Sequence, residues 1–383
     1  MDPVLLSQKL IRCPSITPKN EGALEILEAY LTHLGFTCER FDFENIVNLY
    51  AHLGSGHPHL CFAGHTDVVP LGEANLWTHD PFQGIIKDDQ LWGRGAADMK
   101  CAIACFISAL SQFLKTTSFK GRISLLITGD EEKDAIHGTQ RVLPILVKRK
   151  DIPDLCLIGE PTSLHQVGDT LKIGRRGSLT GKLTCYGTQG HIAYPQYTDN
   201  PIPRMLACLK ALNDYHFDTG TNFFEPTRLE VTSIDVGNPA ANIIPHKIEA
   251  QFGIRLNTLQ NDKELCEKVR TICTPYAGKH DLVLTFHGHA FLTEDQQKIE
   301  LVQKAVRDTI GHLPSLSTTG ATTDGRFISA YCPVIECGMR EATMHQVDEH
   351  VALIDIQRLT GIYYGIIKSF FLSDDDSSGR EKQ

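Results

Sequence analysis

Carboxylates and imidazoles recur at the ends of apolar runs in this chain, and together they form the donor set for a pair of divalent metal ions. Glu131-Glu132 stands directly behind the run Ile123-Ser-Leu-Leu-Ile-Thr128, and His65-Thr66-Asp67 stands behind Leu60-Cys-Phe-Ala63. Asp98 lies in the glycine-rich stretch Gly93-Arg-Gly-Ala-Ala-Asp98-Met-Lys100, Glu160 in Gly159-Glu160-Pro161 behind Asp154–Ile158, and His345 beyond the run that ends at Gly338. Two adjacent carboxylates are costly at a strand end unless positive charge holds them. Zinc and similar borderline cations accept such a mixed nitrogen and oxygen set. His65, Asp98, Glu132, Glu160 and His345, with one carboxylate shared, suffice for two ions, and two close ions can hold a bridging water and lower its pKa. Glu131 is then the spare acid, able to take the proton and hand it to a leaving amine. Asp67 lies two residues past His65, near enough to hold the second ring nitrogen and fix its tautomer.

Each residue taken alone has an ordinary reading. A histidine or glutamate after a strand is usually a polar loop residue, Asp98 alone could cap a helix, and Glu131-Glu132 alone could be a solvated turn. The metal reading rests on the coincidence of several strand ends that carry ligand-type side chains.

These side chains need elements to place them. A helix is predicted from Asn20 or Glu21 to Leu34, closed by Gly35; others cover Met99–Phe113, Val142–Lys148 and Lys298–Ile310. Apolar runs at 47–51, 60–63, 123–128, 154–158 and 333–337 read as strands between them. Strands separated by helices imply an α/β fold with a mostly parallel sheet flanked by helices. In such sheets ligands bind beyond the carboxyl ends of the strands, where the acids and histidines fall. The pattern changes after Gly174-Arg-Arg-Gly177. Alternating runs at 178–186, 228–234, 247–255 and 282–286, with helices at 201–212 and 265–276, predict an inserted α+β domain on an antiparallel sheet. The expected division is 1–176 and 289–375 for the catalytic domain, 177–288 for the insert, and a polar, disordered tail at 376–383.

Composition narrows the classes. The 383 residues are 42% hydrophobic and 22% charged with a formal net charge of -9, which suits a soluble two-domain protein and argues against nucleic-acid binding. No apolar stretch of membrane-spanning length is expected, nor a signal peptide in Met-Asp-Pro-Val-Leu-Leu-Ser-Gln-Lys. The 12 cysteines are scattered, with no CxxC pair. Buried reduced thiols and a cytoplasmic location are therefore expected. Neither nucleotide-binding glycine motif occurs in a strand-turn-helix context.

The blocks Gly64-His65-Thr66-Asp67-Val68-Val69-Pro70, Gly93–Lys100, Asp130-Glu131-Glu132 and Gly159-Glu160-Pro161 resemble those of the co-catalytic zinc aminoacylase and carboxypeptidase family. Lys172–Ser178, Gly190-His191-Ile-Ala-Tyr194-Pro195, Asn242-Ile-Ile-Pro245 and Thr323-Asp324-Gly-Arg326-Phe327 are similar to its desuccinylase branch. The resemblance implies two zinc ions, one position open to cobalt or another divalent metal. Asp98 would bridge them, His65 and Glu160 would complete one ion, and Glu132 and His345 the other. Glu131 would be the general acid and base, with Asp67 orienting His65. His191 would reach the partner's site in a homodimer made by the inserted domain and stabilise the tetrahedral oxyanion. Arg175, Tyr194, Asn242 and Arg255 would contact the substrate, and guanidinium groups suit its carboxylates. The implied reaction splits N-succinyl-LL-2,6-diaminopimelate into succinate and LL-2,6-diaminopimelate, with no nucleic-acid or membrane partner.

The chain departs from the branch pattern in places. Cys101 follows Lys100 where the family usually has glycine, and Ala321 stands in a segment usually richer in glycine. Gly338-Met-Arg-Glu341-Ala-Thr-Met-His345 replaces a Gly-Pro-x-Asn-x-Thr-x-His pattern, so that Glu341 puts an acid where a neutral amide is usual. A related N-acyl-amino-acid deacylase or a dipeptidase on the same scaffold is the nearest alternative. A metal-binding homologue without catalysis is a second, set against the presence of Glu131 and all five ligands.

Overall fold

The computed structural model of the chain describes residues 1–133 and 135–372; the tail at 376–383 lies outside them. The chain divides into two compact units. The larger comprises Met1–Gly174, Thr293–Ser317 and the chain from Thr323 onward; the smaller comprises Arg175–Leu292 and Thr318–Thr322. The predicted insert at 177–288 differs by a few residues at each edge and omits the return of Thr318–Thr322. That return is held by hydrogen bonds, from Arg175 Nη1 to the Thr319 carbonyl at 3.2 Å and from Thr318 Oγ1 to the Phe223 carbonyl, and such contacts leave no periodicity to read.

The larger unit is built on an eight-stranded mixed sheet in the order Thr37–Phe43, Ile46–Ser55, Gly121–Thr128, His59–His65, Leu155–Ile158, Val334–Glu336, Thr170–Lys172 and Ser315–Ser317. The four strands from Gly121–Thr128 to Val334–Glu336 run parallel to one another. Nearly every residue of His59–His65 is buried, as a central strand covered on both faces requires. Helices Cys101–Thr116 and Leu353–Leu372 pack on it. Phe62 of the sheet stacks on Phe106 with ring centres 4.2 Å apart, and Tyr363 meets both rings edge-on at 5.7 and 5.6 Å. The first helix, Pro3–Ile11, starts where Asp2 accepts the N–H of Val4 at 2.8 Å.

Contrary to the expectation from hydropathy, Ala96–Thr116 is long and apolar enough to cross a membrane. However, 89% of that window is buried inside the protein, as in a core helix. The regular helix also begins later than predicted, at Cys101, because Asp98 and Met99 leave helical geometry.

The smaller unit has an antiparallel sheet in the order Arg228–Asp235, Lys247–Leu256, Gly177–Tyr186, His280–Gly288. Alternate residues Ile248, Ala250, Phe252, Ile254 and Leu256 face a core shared with helices Ile202–Asn213 and Asp262–Ala277. All 12 cysteines are free thiols.

Candidate metal centre

Five loops at the carboxyl edge of the parallel strands bring their side chains to one place in the larger unit. His65 is the last residue of its strand, paired with Thr128. Glu131 and Glu132 follow Thr128, and Glu160 follows Ile158 with one glycine between. Asp98 comes from the irregular turn before Cys101, and His345 from the loop before His350–Ala352. Met99 seats the Asp98 turn on two strand ends. A Cβ on Gly159 would come within 2.7 Å of its Cε and one on Gly64 closer still, so glycine before both His65 and Glu160 leaves the room that Met99 occupies.

Asp98 lies at the centre. Its Oδ1 is 3.1 Å from His65 Nε2 and its Oδ2 is 3.1 Å from His345 Nε2. Glu160 Oε1 is 3.3 Å from His65 Nε2, and Glu132 Oε1 is 3.2 Å from His345 Nε2. One carboxylate thus separates two half-sites, His65 with Glu160 and His345 with Glu132. Donor atoms of His65, Asp98 and Glu132 lie within 4.8 Å of one another, and so do those of His65, Glu131 and Glu160. The donors are imidazole nitrogen and carboxylate oxygen, the set that suits zinc and related divalent ions. Two overlapping donor groups around a shared carboxylate fit a dinuclear centre.

The electrostatics agree with that chemistry. Burial disfavours charge on His65, yet the bonds from Asp98 and Glu160 outweigh it and raise the ring well above its usual range. His345 is raised to about 10 by its bonds to Asp98 and Glu132. Burial would lift Asp98, but the two rings hold it below the usual carboxylate range. Burial and the neighbouring charge of Asp98 push Glu160 up to about 7, and burial with the charge of Glu160 pushes Glu131 well up. The cluster gathers more negative charge than it can keep ionised without a cation.

Asp67 departs from the sequence expectation. His65 Nδ1 donates to the Asp67 backbone carbonyl at 2.9 Å, while the nearer carboxylate oxygen is 3.6 Å away. The carboxylate instead accepts the N–H of Glu131 at 3.2 Å and of Glu132 at 3.1 Å. The carbonyl still fixes the tautomer that leaves Nε2 facing Asp98 and Glu160, and the side chain holds the Glu131-Glu132 turn. Sequence reasoning also missed Arg94, Glu349 and Asp324. Asp324 is buried, and burial lifts its carboxyl to about 6 against the pull of Arg326. Its segment, ahead of the short helix Gly325–Ile328, is among the blocks that carry the resemblance, but spacing gave no sign that Asp324 itself comes near the cluster.

The remaining predicted residues belong to the smaller unit. His191 pairs with Ile243 in a two-stranded ribbon and is exposed; its Nδ1 accepts the N–H of Ala193 at 3.0 Å. Tyr194 is 57% exposed, with its ring centre 5.8 Å from that of His191. Asn242 is exposed, and its carbonyl accepts the N–H of Ile192 at 3.0 Å. Arg255 lies exposed on the sheet between Ser178 and Arg228, while Arg175 is buried.

Residues 61–369 match the model of peptidase family M20/M25/M40. The chain belongs to peptidase family M20/M25/M40. Succinyl-diaminopimelate desuccinylase of Parvibaculum lavamentivorans is 47% identical to it over 379 residues, covering 97% of this chain and 96% of that protein. The enzyme of the same name from Rhodospirillum centenum is 48% identical over 376 residues and 97% of both chains. The M20 fold is shared with the metallo-carboxypeptidase Sso-CP2 of Sulfolobus solfataricus, at a TM-score of 0.81 and 16% identity over 97% of this chain and 99% of that one. It is also shared with the YXEP protein of Bacillus subtilis, described as a dinuclear metal binding peptidase, at a TM-score of 0.68 and 12% identity over 95% and 96%. The fold class read from the sequence is thus that of M20 proteins.

Proposed function

We propose that this M20 protein is a cytoplasmic, homodimeric amide hydrolase that splits N-succinyl-LL-2,6-diaminopimelate into succinate and LL-2,6-diaminopimelate. The convergence of His65, Asp98, Glu132, Glu160 and His345 around one centre, with Glu131 left over beside it, carries the reaction class. The near-complete match to desuccinylases at 47% and 48% identity supports the substrate.

Asp98 would bridge two zinc ions, His65 and Glu160 completing one and Glu132 and His345 the other, with cobalt or another divalent metal able to serve at one position. Such a pair polarises an amide carbonyl and acidifies water at neutral pH. Glu131, with its proton affinity raised by burial and by Glu160, takes the proton of the attacking water and later delivers it to the departing amine nitrogen. Asp67 keeps Glu131 in place through its backbone N–H. His191 supports the developing oxyanion. Because its Nδ1 accepts a backbone N–H, its proton sits on Nε2, which is free to donate. In the homodimer formed by the inserted unit, this donor serves the partner's centre. Arg175, Arg255, Tyr194 and Asn242 read the substrate's carboxylate and amine ends.

The test is metal content and substrate profile on one purified sample. Two zinc ions per chain and succinate release from succinyl-diaminopimelate well ahead of N-acetylornithine and simple dipeptides are expected. Removal of metal with a chelator should abolish turnover and zinc should restore it. Preference for N-acetylornithine or a dipeptide would overturn the substrate, and turnover that survives full metal depletion would overturn the mechanism.

A further inference from the structure

Behind the ligand cluster lies a buried ion pair that none of these roles uses. Glu349 is 0% exposed, and its carboxylate accepts the N–H of Gly95 at 3.1 Å, of Ala97 at 2.8 Å and of Asp98 at 3.1 Å, together with Arg94 Nη1 at 2.8 Å. Arg94 is 2% exposed and lies over the Trp77 ring, 5.1 Å from its centre. Its guanidinium also donates to the carbonyls of Pro70 at 3.3 Å, His345 at 3.4 Å and Gln346 at 3.1 Å. Three chain segments therefore meet at one pair: the loop leaving His65, the Asp98 turn and the His345 loop.

The segments do not depend on it equally. His65 ends a paired strand, and Glu160 follows one. Asp98 sits in a turn without helical geometry, and His345 has φ 61, a conformation that non-glycine residues hold only when their surroundings enforce it. The three N–H bonds to Glu349 hold the Asp98 backbone from behind, so its carboxylate projects away toward the two rings. The planar fork of Arg94 fixes several carbonyls at once, which a point charge could not do.

We propose that Arg94 and Glu349 form a positioning pair for the half-site of Glu132 and His345, setting the Asp98 and His345 backbones so that one ion is held there. The half-site of His65 and Glu160 shares Asp98 but takes its other two ligands from the sheet, so it leans on the pair less than the half-site whose His345 backbone Arg94 also holds. This inference rests on the dinuclear reading above and adds the residues that make its two halves unequal.

The test titrates metal-free full-length protein with zinc against a competing chromophoric chelator, and with cobalt(II) for its visible spectrum. Glu349→Gln keeps shape and an acceptor oxygen but loses charge; Arg94→Lys keeps charge but loses the fork. His345→Ala marks which binding step belongs to the dependent half-site. In both pair variants that same step should weaken about 10- to 100-fold, the other should weaken clearly less, and the cobalt(II) band of the dependent step should change shape. Melting of the metal-free proteins reports fold separately. Wild-type affinities and spectra in the variants would overturn the proposal. Equal weakening of both steps would overturn it too, by marking general support of the fold. If Glu349→Gln fails to fold, Arg94→Lys decides by the same criteria. A wild-type chain that takes up fewer than two ions would sink the dinuclear reading, and this proposal with it, before any variant is compared.

Discussion

The two ends of the parallel strands both bury histidine beside carboxylate, and they settle the charge in opposite ways. At the amino end Asp151 accepts from Arg122 at 2.6 Å and from the Tyr50 hydroxyl at 2.8 Å, with His59 Nδ1 3.8 Å away. Asp154 meets His57 at 2.7 Å and the N–H of His59 at 2.7 Å. Every carboxylate there has a donor supplied by the chain. At the carboxyl end Asp67, Asp98, Glu131, Glu132 and Glu160 face two histidines, and among the described residues no lysine or arginine pairs with them. Two buried cations nearby are engaged elsewhere, Arg94 with Glu349 and Lys100 with the Cys13 carbonyl. Burying unpaired charge costs several kcal/mol per ion. A fold that neutralises one end of a sheet and leaves the other short of positive charge has built the second end for imported cations.

The largest effect should come from Glu131, the acid left over in the proposed ligand set. Glu131→Gln is expected to lower kcat by about 10²- to 10⁴-fold while metal analysis still finds two ions per chain; near-normal turnover would remove its role as base. A second measurement probes the charge imbalance itself. Without metal, His65 and His345 hold protons because the carboxylates raise both rings, and metal must displace them. Zinc affinity of the metal-free protein should therefore tighten as pH rises, by about tenfold per unit for each proton displaced. Calorimetry in buffers of different ionisation enthalpy counts those protons, and pH-independent affinity would mean the rings are already neutral. At the amino end the prediction reverses. Asp151→Asn should cost about 2 to 3 kcal/mol of stability, because Arg122 and Tyr50 lose their acceptor, and should leave metal content and kcat alone. Loss of metal in that variant would show that the ends are not independent.

The carboxyl end was legible in the sequence and the amino end was not. His65, Asp98, Glu131, Glu132 and Glu160 stand behind apolar runs or a glycine turn, and a parallel sheet puts such positions together by topology alone. The strand at 247–255 was equally readable, because its alternation is the pleat of a half-buried strand. His59, Arg122 and Asp151 precede or open their strands, where polar residues are ordinary, so nothing marked their convergence. Thr170–Lys172 and Ser315–Ser317 are three residues each, too short for a period. Arg94 and Glu349 are 255 positions apart and act through backbone N–H and carbonyl groups, which no side-chain pattern encodes. The same blindness misassigned the bond from Asp67 to His65. Spacing gives proximity, but it does not say whether the carbonyl or the carboxylate makes the contact.

The smallest effect is a pH dependence that belongs to the amino end. His59 is 2% exposed, and burial lowers its ring to about 4 from an ordinary 6.5 against the opposing pull of Asp151. Between those two values the unfolded chain takes up a proton that the folded chain refuses. The stabilisation is thus complete above pH 6.5 and is lost progressively as pH falls toward 4. A shift of this size is worth on the order of 3 kcal/mol across the whole window. The carboxyl-end acids titrate there as well, so the informative quantity is a difference. His59 Nε2 lies 2.8 Å from Ser124 Oγ; wild type and His59→Gln, whose amide can keep that bond, should be unfolded by urea at pH 7.5 and pH 4.5. Wild type should lose about 2 kcal/mol more than the variant between the two. Parallel losses would mean that folded His59 takes up its proton as readily as the unfolded chain, and that the amino end also relies on charge from outside.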